Sequence, residues 1–226
     1  MTSRIGAITI GQSPRDDVVS ELKGLITSKD IEVVEKGALD RFSLEAVKRL
    51  APRKDDEVLV TRMRDGTEVT IGKRAILEEL QKQINALNAE GVDGIAMLCS
   101  GAFPRLRSKR PLIMLDNLVY GFLASIVFEG KLGFIVPSHR QIAGLGQDFQ
   151  RRGFQAAGVE ASPYGHDTMT AITQAAKSLK EAGVDLVVMN CIGYDLAMKH
   201  RVKGIVNKPV LLVRSILAKS ISELLD

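Results

Sequence analysis

The chain has 226 residues, of which 45% are hydrophobic and 26% charged, a balance typical of a globular protein long enough to bury one core or two small lobes. A net charge of +4 and an aromatic content of 4% argue against a nucleic-acid surface, since the one basic cluster, Arg105-Leu-Arg107-Ser-Lys109-Arg110, has no aromatic residue interleaved. The longest apolar run, Leu118 to Phe128, is too short to span a bilayer, and three histidines with two cysteines show no zinc-ligand spacing, so neither a membrane span nor a metal site is expected.

Arg4 to Ile10 reads as a buried first strand that begins almost at the N-terminus and leaves no room for a signal peptide. With only two cysteines, this points to a reducing cytoplasm. Gly11 to Arg15 is a turn, with Ser13 suited to a helix N-cap and Pro14 to the first helical position. The helix that follows carries Asp16 and Asp17 in its first turn and an apolar face of Val18, Val19, Leu22 and Leu25-Ile26. Ile31 to Lys36 is a second strand, and Ser43 caps a short helix ending near Pro52. Glu57 to Met63 and Thr67 to Ile71 alternate in polarity about Asp65-Gly66, the signature of a hairpin inserted into an α/β rhythm.

Lys73 to Glu90 is a long amphipathic helix that feeds a short apolar strand. Pro111 to Leu115 is another strand, and Asn117 to Phe128 a buried helix that serves either the core or a contact between two copies of the chain as a homodimer. The pattern then restarts. Lys131-Leu-Gly-Phe-Ile-Val136 echoes Arg4-Ile-Gly-Ala-Ile-Thr9, and Pro137-Ser138-His139-Arg140 echoes Gln12-Ser13-Pro14-Arg15. Helix 141–151, strand 154–161, helix 167–182, a second short apolar strand, helix 196–202, strand 209–213 and helix 215–225 complete the chain.

The two short apolar strands are near-copies. Gly91-Val-Asp-Gly-Ile-Ala-Met-Leu-Cys-Ser-Gly101 and Gly183-Val-Asp-Leu-Val-Val-Met-Asn-Cys-Ile-Gly193 share glycine, valine, aspartate, methionine, cysteine and glycine at one constant offset. The expected fold is therefore α/β: two flavodoxin-like βαβ lobes with parallel sheets, related by a pseudo-twofold, with the site in a cleft between them. Residues 1–115 plus 208–226 form lobe one and residues 116–207 lobe two, the last strand and helix crossing back to lobe one.

Ligands of open α/β sheets sit beyond the carboxyl ends of the strands, where both cysteines fall. Free cysteines there can be small core hydrophobes. They can also be an acid/base pair, since a thiol titrates near neutral pH when its surroundings favour the thiolate. One sulfur would take a proton from a carbon next to a carboxylate, and the other would return a proton to the opposite face, without a cofactor. Backbone N–H groups at Ser100-Gly101 and Ile192-Gly193 can hold the developing enolate charge, and Ser13, Ser100, Ser138 and Asn190 the carboxylate. Arg15 either faces solvent or binds the anion; Arg62, Arg64 and His139 are exposed turn residues or part of the rim.

The paired Cys99-Ser-Gly and Cys191-Ile-Gly, the internal repeat and Ile8-Thr-Ile-Gly-Gln-Ser-Pro-Arg15 resemble the aspartate/glutamate/hydantoin racemase superfamily. Ala7 to Gly11, Gly133 to Pro137, Asn190 to Gly193 and Pro209 to Leu212 make the chain most similar, over nearly its full length, to the AroM family. The resemblance implies two flavodoxin-like lobes with one cysteine from each. It also implies a small carboxylate-bearing or hydantoin-like substrate for a racemase or isomerase. Glutamate racemases carry threonine after each cysteine, where this chain has Ser100 and Ile192, and a histidine soon after the second, where the next here is His200. These departures count against glutamate itself as the substrate. A lyase or decarboxylase using one cysteine, and a non-catalytic binder of small anions, are the alternative readings.

Overall fold

The computed structural model describes residues 2–27 and 30–225. The chain divides into two compact units, Met1–Val119 with Ser215–Asp226, and Tyr120–Arg214. The outermost positions of the expected first lobe, 1 and 226, lie outside the described residues.

The first unit runs β1 (Ser3–Thr9), α1 (Asp16–Leu25), β2 (Ile31–Gly37), α2 (Leu44–Lys48), the hairpin β3 (Val58–Arg62) and β4 (Glu68–Gly72), α3 (Lys73–Ala89), β5 (Gly94–Met97), β6 (Leu112–Ile113) and the start of α4 (Leu115–Ala124). Its sheet has the order β2-β1-β5-β6, every pair parallel. β5 is buried along its whole length, as a central strand covered on both faces must be. The α3 face formed by Ile76, Leu80, Ile84 and Leu87 meets Ile8, Ile95 and Met97 in the core.

The second unit runs from the end of α4 through β7 (Lys131–Val136), a 3₁₀ turn at His139–Gln141, α5 (Ile142–Arg151), β8 (Gln155–Glu160), α6 (Thr168–Glu181), β9 (Leu186–Met189), α7 (Leu196–Val206) and β10 (Val210–Leu212) to the start of α8 (Val213–Leu225). Its sheet is again parallel, in the order β10-β9-β7-β8. This is the first sheet's order repeated. Among the described residues no helix is long and apolar enough to cross a membrane.

The repeat has a physical reading position by position. Gly91 and Gly183 end α3 and α6 in the left-handed region, at φ of 72° and 67°, where a side chain would be strained. Val92 and Val184 enter the core. Asp93 accepts the Arg4 N–H at 2.8 Å, and Asp185 accepts that of Lys131 at 3.1 Å. Each aspartate thus clamps the cysteine strand to the start of its neighbour, which fixes the register of that pair. Gly6 and Gly133 admit the helix that leads into the cysteine strand: an added Cβ would stand 2.9 Å from Leu87 of α3 in the first unit, and 3.2 Å from Leu179 of α6 in the second.

The Lys208 ammonium, bonded at 2.9 Å, and then the Lys131 N–H hold the Asp185 carboxyl below the ordinary aspartate pKa. A lowered folded pKa stabilises the protein above the unfolded value of about 3.9, and this contribution disappears as pH falls through the folded value. Asp185→Asn is therefore expected to lower the urea midpoint at pH 7, with the deficit closing as pH drops below about 4. An equal deficit at both pH values would mean that the carboxylate charge contributes nothing.

Three expectations change. The last strand does not return to the first unit: β10 pairs with β9 in the second sheet, and only α8 returns. Pro209-Val-Leu-Leu-Val213 is the second copy of Pro111-Leu-Ile-Met-Leu115, so each sheet completes its fourth strand with its own copy. The apolar segment 118–128 is helical only to Ala124. There the Ser125 hydroxyl donates back to the Phe122 carbonyl and ends the helix, leaving Phe122 and Val127 exposed. Finally, Ser13 does not cap α1. The N-cap is Arg15, and the Ser13 hydroxyl donates to Asp40 at 2.8 Å.

Candidate active site

Each cysteine follows a central strand, and each sulfur is held in the same way. Cys99 lies two residues beyond β5, and Cys191 two residues beyond β9. Pairing continues past each strand, with Leu98 donating to the Ile8 carbonyl at 2.8 Å and Asn190 to that of Ile135 at 2.9 Å. The chain then turns back on the sulfur. Gly101 N–H donates to Cys99 Sγ at 3.4 Å, and Gly193 N–H to Cys191 Sγ at 3.4 Å. An N–H aimed at sulfur stabilises negative charge on it. Neither cysteine is in a disulfide, and each is buried, at 8% exposed.

The surroundings of the two turns differ. Beside Gly101 stand Leu59, from the β3 strand of the inserted hairpin, and Phe103. Beside Gly193 stand Tyr164 and Pro163 from the loop after β8, with the Tyr164 hydroxyl 3.7 Å from Cys191 Sγ. Behind the second turn, Arg214 is fully buried at the start of α8 and donates Nε at 3.0 Å and Nη2 at 2.8 Å to the Ile192 carbonyl. Tyr194, also fully buried, donates its hydroxyl to the Ala161 carbonyl at 2.7 Å.

An alanine methyl at position 193 would stand 2.5 Å from the Tyr164 hydroxyl and 2.7 Å from Pro163. One at position 101 would meet only the mobile end of Leu59 at 3.0 Å among close contacts. Gly193→Ala is therefore expected to cost roughly 1–3 kcal/mol in overpacking and to displace Tyr164, and Gly101→Ala to cost less. Thermal midpoints of the two variants check this; a larger drop for Gly101→Ala would contradict it.

The loop after β1 is held from below and from the side. Gln12 Nε2 donates to the Leu39 and Phe42 carbonyls, while its Oε1 accepts Arg64 N–H at 2.9 Å. Ser13 N–H and hydroxyl donate to the two oxygens of Asp40, at 2.6 and 2.8 Å. Arg64 Nε reaches the Ser13 carbonyl at 2.6 Å. The inserted hairpin thus acts as a brace for this loop, and Arg64 is part of it.

Arg15 is buried, against the expectation that it faces solvent. It is 2% exposed, its guanidinium forms a two-point bridge to Asp17 at 2.8 Å, and Nη1 donates to Thr9 Oγ1 at 3.1 Å. Ser138 caps the 3₁₀ turn reciprocally with Gln141, and His139 beside it is exposed. Ser100 and Asn190 are partly exposed beside their cysteines, while Ile192 and Gly193 are buried. The Gly101 and Gly193 N–H groups serve the sulfurs. Among the described residues no group of three or more His, Cys, Asp or Glu side chains could hold a metal ion.

Sequence reasoning missed Tyr164, Arg214, Gln12 and Asp40 as parts of these loops. Arg214 alone left a signal, a cation inside the apolar run Pro209 to Leu217.

A family model described as AroM protein matches residues 5–225. No curated protein sequence matches the chain. Among solved structures, the aspartate racemase of Picrophilus torridus superposes with a TM-score of 0.63 at 14% identity, over 98% of this chain and 93% of its own. The allantoin racemase of Pseudomonas fluorescens gives 0.64 at 12% identity, over 97% and 89%. An unliganded arylmalonate decarboxylase gives 0.61 at 15% identity, over 99% and 92%. At these identities the likeness is one of fold: the chain shares the α/β architecture of these three proteins.

Proposed function

The chain belongs to the AroM family, and from that premise we propose that it is a cofactor-independent racemase or isomerase. It acts at a carbon next to a carboxylate, or to a hydantoin-like carbonyl, of a small molecule. Cys99 and Cys191 are its acid/base pair. The observation that supports this reading best is the matched treatment of the two sulfurs. At equivalent strand ends, each receives an N–H from the glycine two residues on, at 3.4 Å. A cysteine retained only as core filling needs no such donor, and a chance arrangement has no reason to occur twice.

In the proposed step one thiolate takes the α-proton, so that an S–H bond forms as the C–H bond breaks. The electron pair passes into the adjacent carbonyl as an enolate. The second thiol then gives its proton to the opposite face of the carbon and becomes the thiolate. Atoms and charge balance within the pair, and solvent re-equilibrates the two sulfurs. The partly exposed side chains of Ser100 and Asn190, with the N–H groups of Ser100 and Ile192, are the proposed contacts for the carboxylate and the enolate oxygen. The side chains of Ser13 and Arg15 hold their loop through Asp40 and Asp17, and Ser138, whose hydroxyl accepts the Arg140 N–H, is a further proposed contact for the carboxylate.

A second reading, a decarboxylase or lyase that uses one cysteine as proton donor, draws on the unequal surroundings of the sulfurs, Tyr164 being at Cys191. The test is proton–deuterium exchange in D₂O, followed by NMR, with pools of amino acids, hydroxy acids, hydantoins and substituted malonates. Exchange with inversion is the expected result. Loss of CO₂ with one-sided deuteration supports the lyase. Thermal stabilisation by one compound, without exchange in any pool, would replace both with a small-anion binding protein.

A further inference from the structure

Tyr164 lies on the loop between β8 and α6, 27 residues before Cys191 in sequence, with its hydroxyl 3.7 Å from Cys191 Sγ. Its backbone and its ring are each held by a contact. Its N–H donates to Ser162 Oγ at 3.2 Å, and its ring rests against Gly193, where even a methyl would collide. Cys191 Sγ thus has two polar groups converging on it, the Gly193 N–H, which donates, and the Tyr164 hydroxyl. When the sulfur is a thiol, either partner of the tyrosine pair can donate. When it is a thiolate, only the phenol can, so the contact becomes a charge-assisted bond to the ionised sulfur.

The charged and titratable groups around this turn have partners of their own or face solvent. Arg214 donates to the Ile192 carbonyl, Asp195 caps α7 by accepting Met198 N–H at 2.7 Å, and His166 and Asp167 on the tyrosine loop are exposed.

We infer that Tyr164 is the positioning residue that makes Cys191 the resting thiolate. Cys191 is then the base that begins the proton transfer, and Cys99 enters the cycle as the thiol. The inference rests on the reading of the cysteines as an acid/base pair, and it assigns their order. Gly193 belongs to the same device, since its lack of a side chain is what lets the phenol reach the sulfur.

The test needs no substrate, so it stands or falls separately from the proposed reaction. Iodoacetamide labelling of Cys99 and Cys191 is followed peptide by peptide by mass spectrometry across pH 5 to 10, in the parent protein and in Tyr164→Phe. Phenylalanine keeps the ring against Gly193 and removes only the hydroxyl. Loss of one hydrogen bond to a charged group is expected to slow Cys191 labelling at pH 7 about tenfold and to move its profile to higher pH. Cys99 labelling in the same molecules is expected to stay unchanged, which also reports that the fold is intact. An unchanged Cys191 profile in Tyr164→Phe overturns the inference. So does a parallel change at both cysteines, which would mark a structural role for the ring. Tyr164→Leu, which removes both ring and hydroxyl, should slow Cys191 no less than Tyr164→Phe does. A Leu variant that labels Cys191 at the parental rate overturns the inference too.

Discussion

Neither Cys99→Ala nor Cys191→Ala is expected to invert its substrate: inversion should fall about a thousandfold or more in each, within the range that positioned acid/base groups contribute. The argument is one of sides. Inversion needs a proton removed from one face of the carbon and a different proton added to the other. A single sulfur can do only one of these, so truncating either cysteine stops inversion altogether.

Proton exchange should behave differently. The remaining cysteine can still remove a proton from the enantiomer presented to it and return a solvent deuteron to the same face. Each variant is therefore expected to exchange one enantiomer with retention, the two variants choosing opposite enantiomers, and Cys191→Ala to do so more slowly at pH 7 because Cys99 rests as the thiol. Both variants should remain folded, because each substitution removes only one sulfur atom from the core. Chiral chromatography with NMR on both pure enantiomers reads the outcome. Full inversion by Cys99→Ala would end the two-sided proposal. Release of CO₂ that survives Cys99→Ala but not Cys191→Ala would give the one-cysteine lyase its proof.

The parts of this molecule that could be read from the sequence are those written twice. The glycine that ends a helix, the valine that enters the core, the aspartate that clamps a strand and the cysteine beyond it recur at fixed spacing. The glycine ends its own helix, while the valine and the aspartate meet the core and the start of the neighbouring strand, places that each parallel sheet supplies in the same way. Parallel strands buried on both faces are similarly legible, because they must be continuous apolar runs. The same logic, carried one step further, would have placed β10. Pro209-Val-Leu-Leu stands to the second cysteine strand as Pro111-Leu-Ile-Met stands to the first.

What could not be read depends on groups brought together from far apart. The Arg15 guanidinium meets Asp17 at a spacing of two residues, which is no helical neighbour relation, and its burial is not written in the residues around it. Asp40 meets Ser13 only because the turn after β2 lies beside the turn after β1. Tyr164 reaches Cys191 because β8 and β9 both flank β7, and their carboxyl ends open on the same edge of the sheet. Nothing near Tyr164 in the chain announces that contact.

Arg214→Met is expected to destabilise the protein by about 3 kcal/mol and to disorder the second cysteine turn. Two contributions lead to that figure. The Ile192 carbonyl loses both donors while it stays buried, and leaving a buried acceptor unsatisfied costs about 1–3 kcal/mol. Methionine also leaves part of the arginine volume empty, which adds a cavity cost of similar order. For a chain of this size the sum corresponds to a fall in Tm of roughly 6 to 12 °C. Arg214→Lys separates the parts. An ammonium keeps the charge and one donor but cannot give one carbonyl both Nε and Nη2, so an intermediate loss is expected. The turn should report the damage more locally than Tm does. With the Ile192 carbonyl released, the Gly193 N–H no longer has a fixed direction toward Cys191 Sγ. Labelling of Cys191 at pH 7 should therefore fall in Arg214→Met, while that of Cys99 holds. Met and Lys variants with parental Tm and parental Cys191 labelling would show that this buried cation supports neither the fold nor the turn.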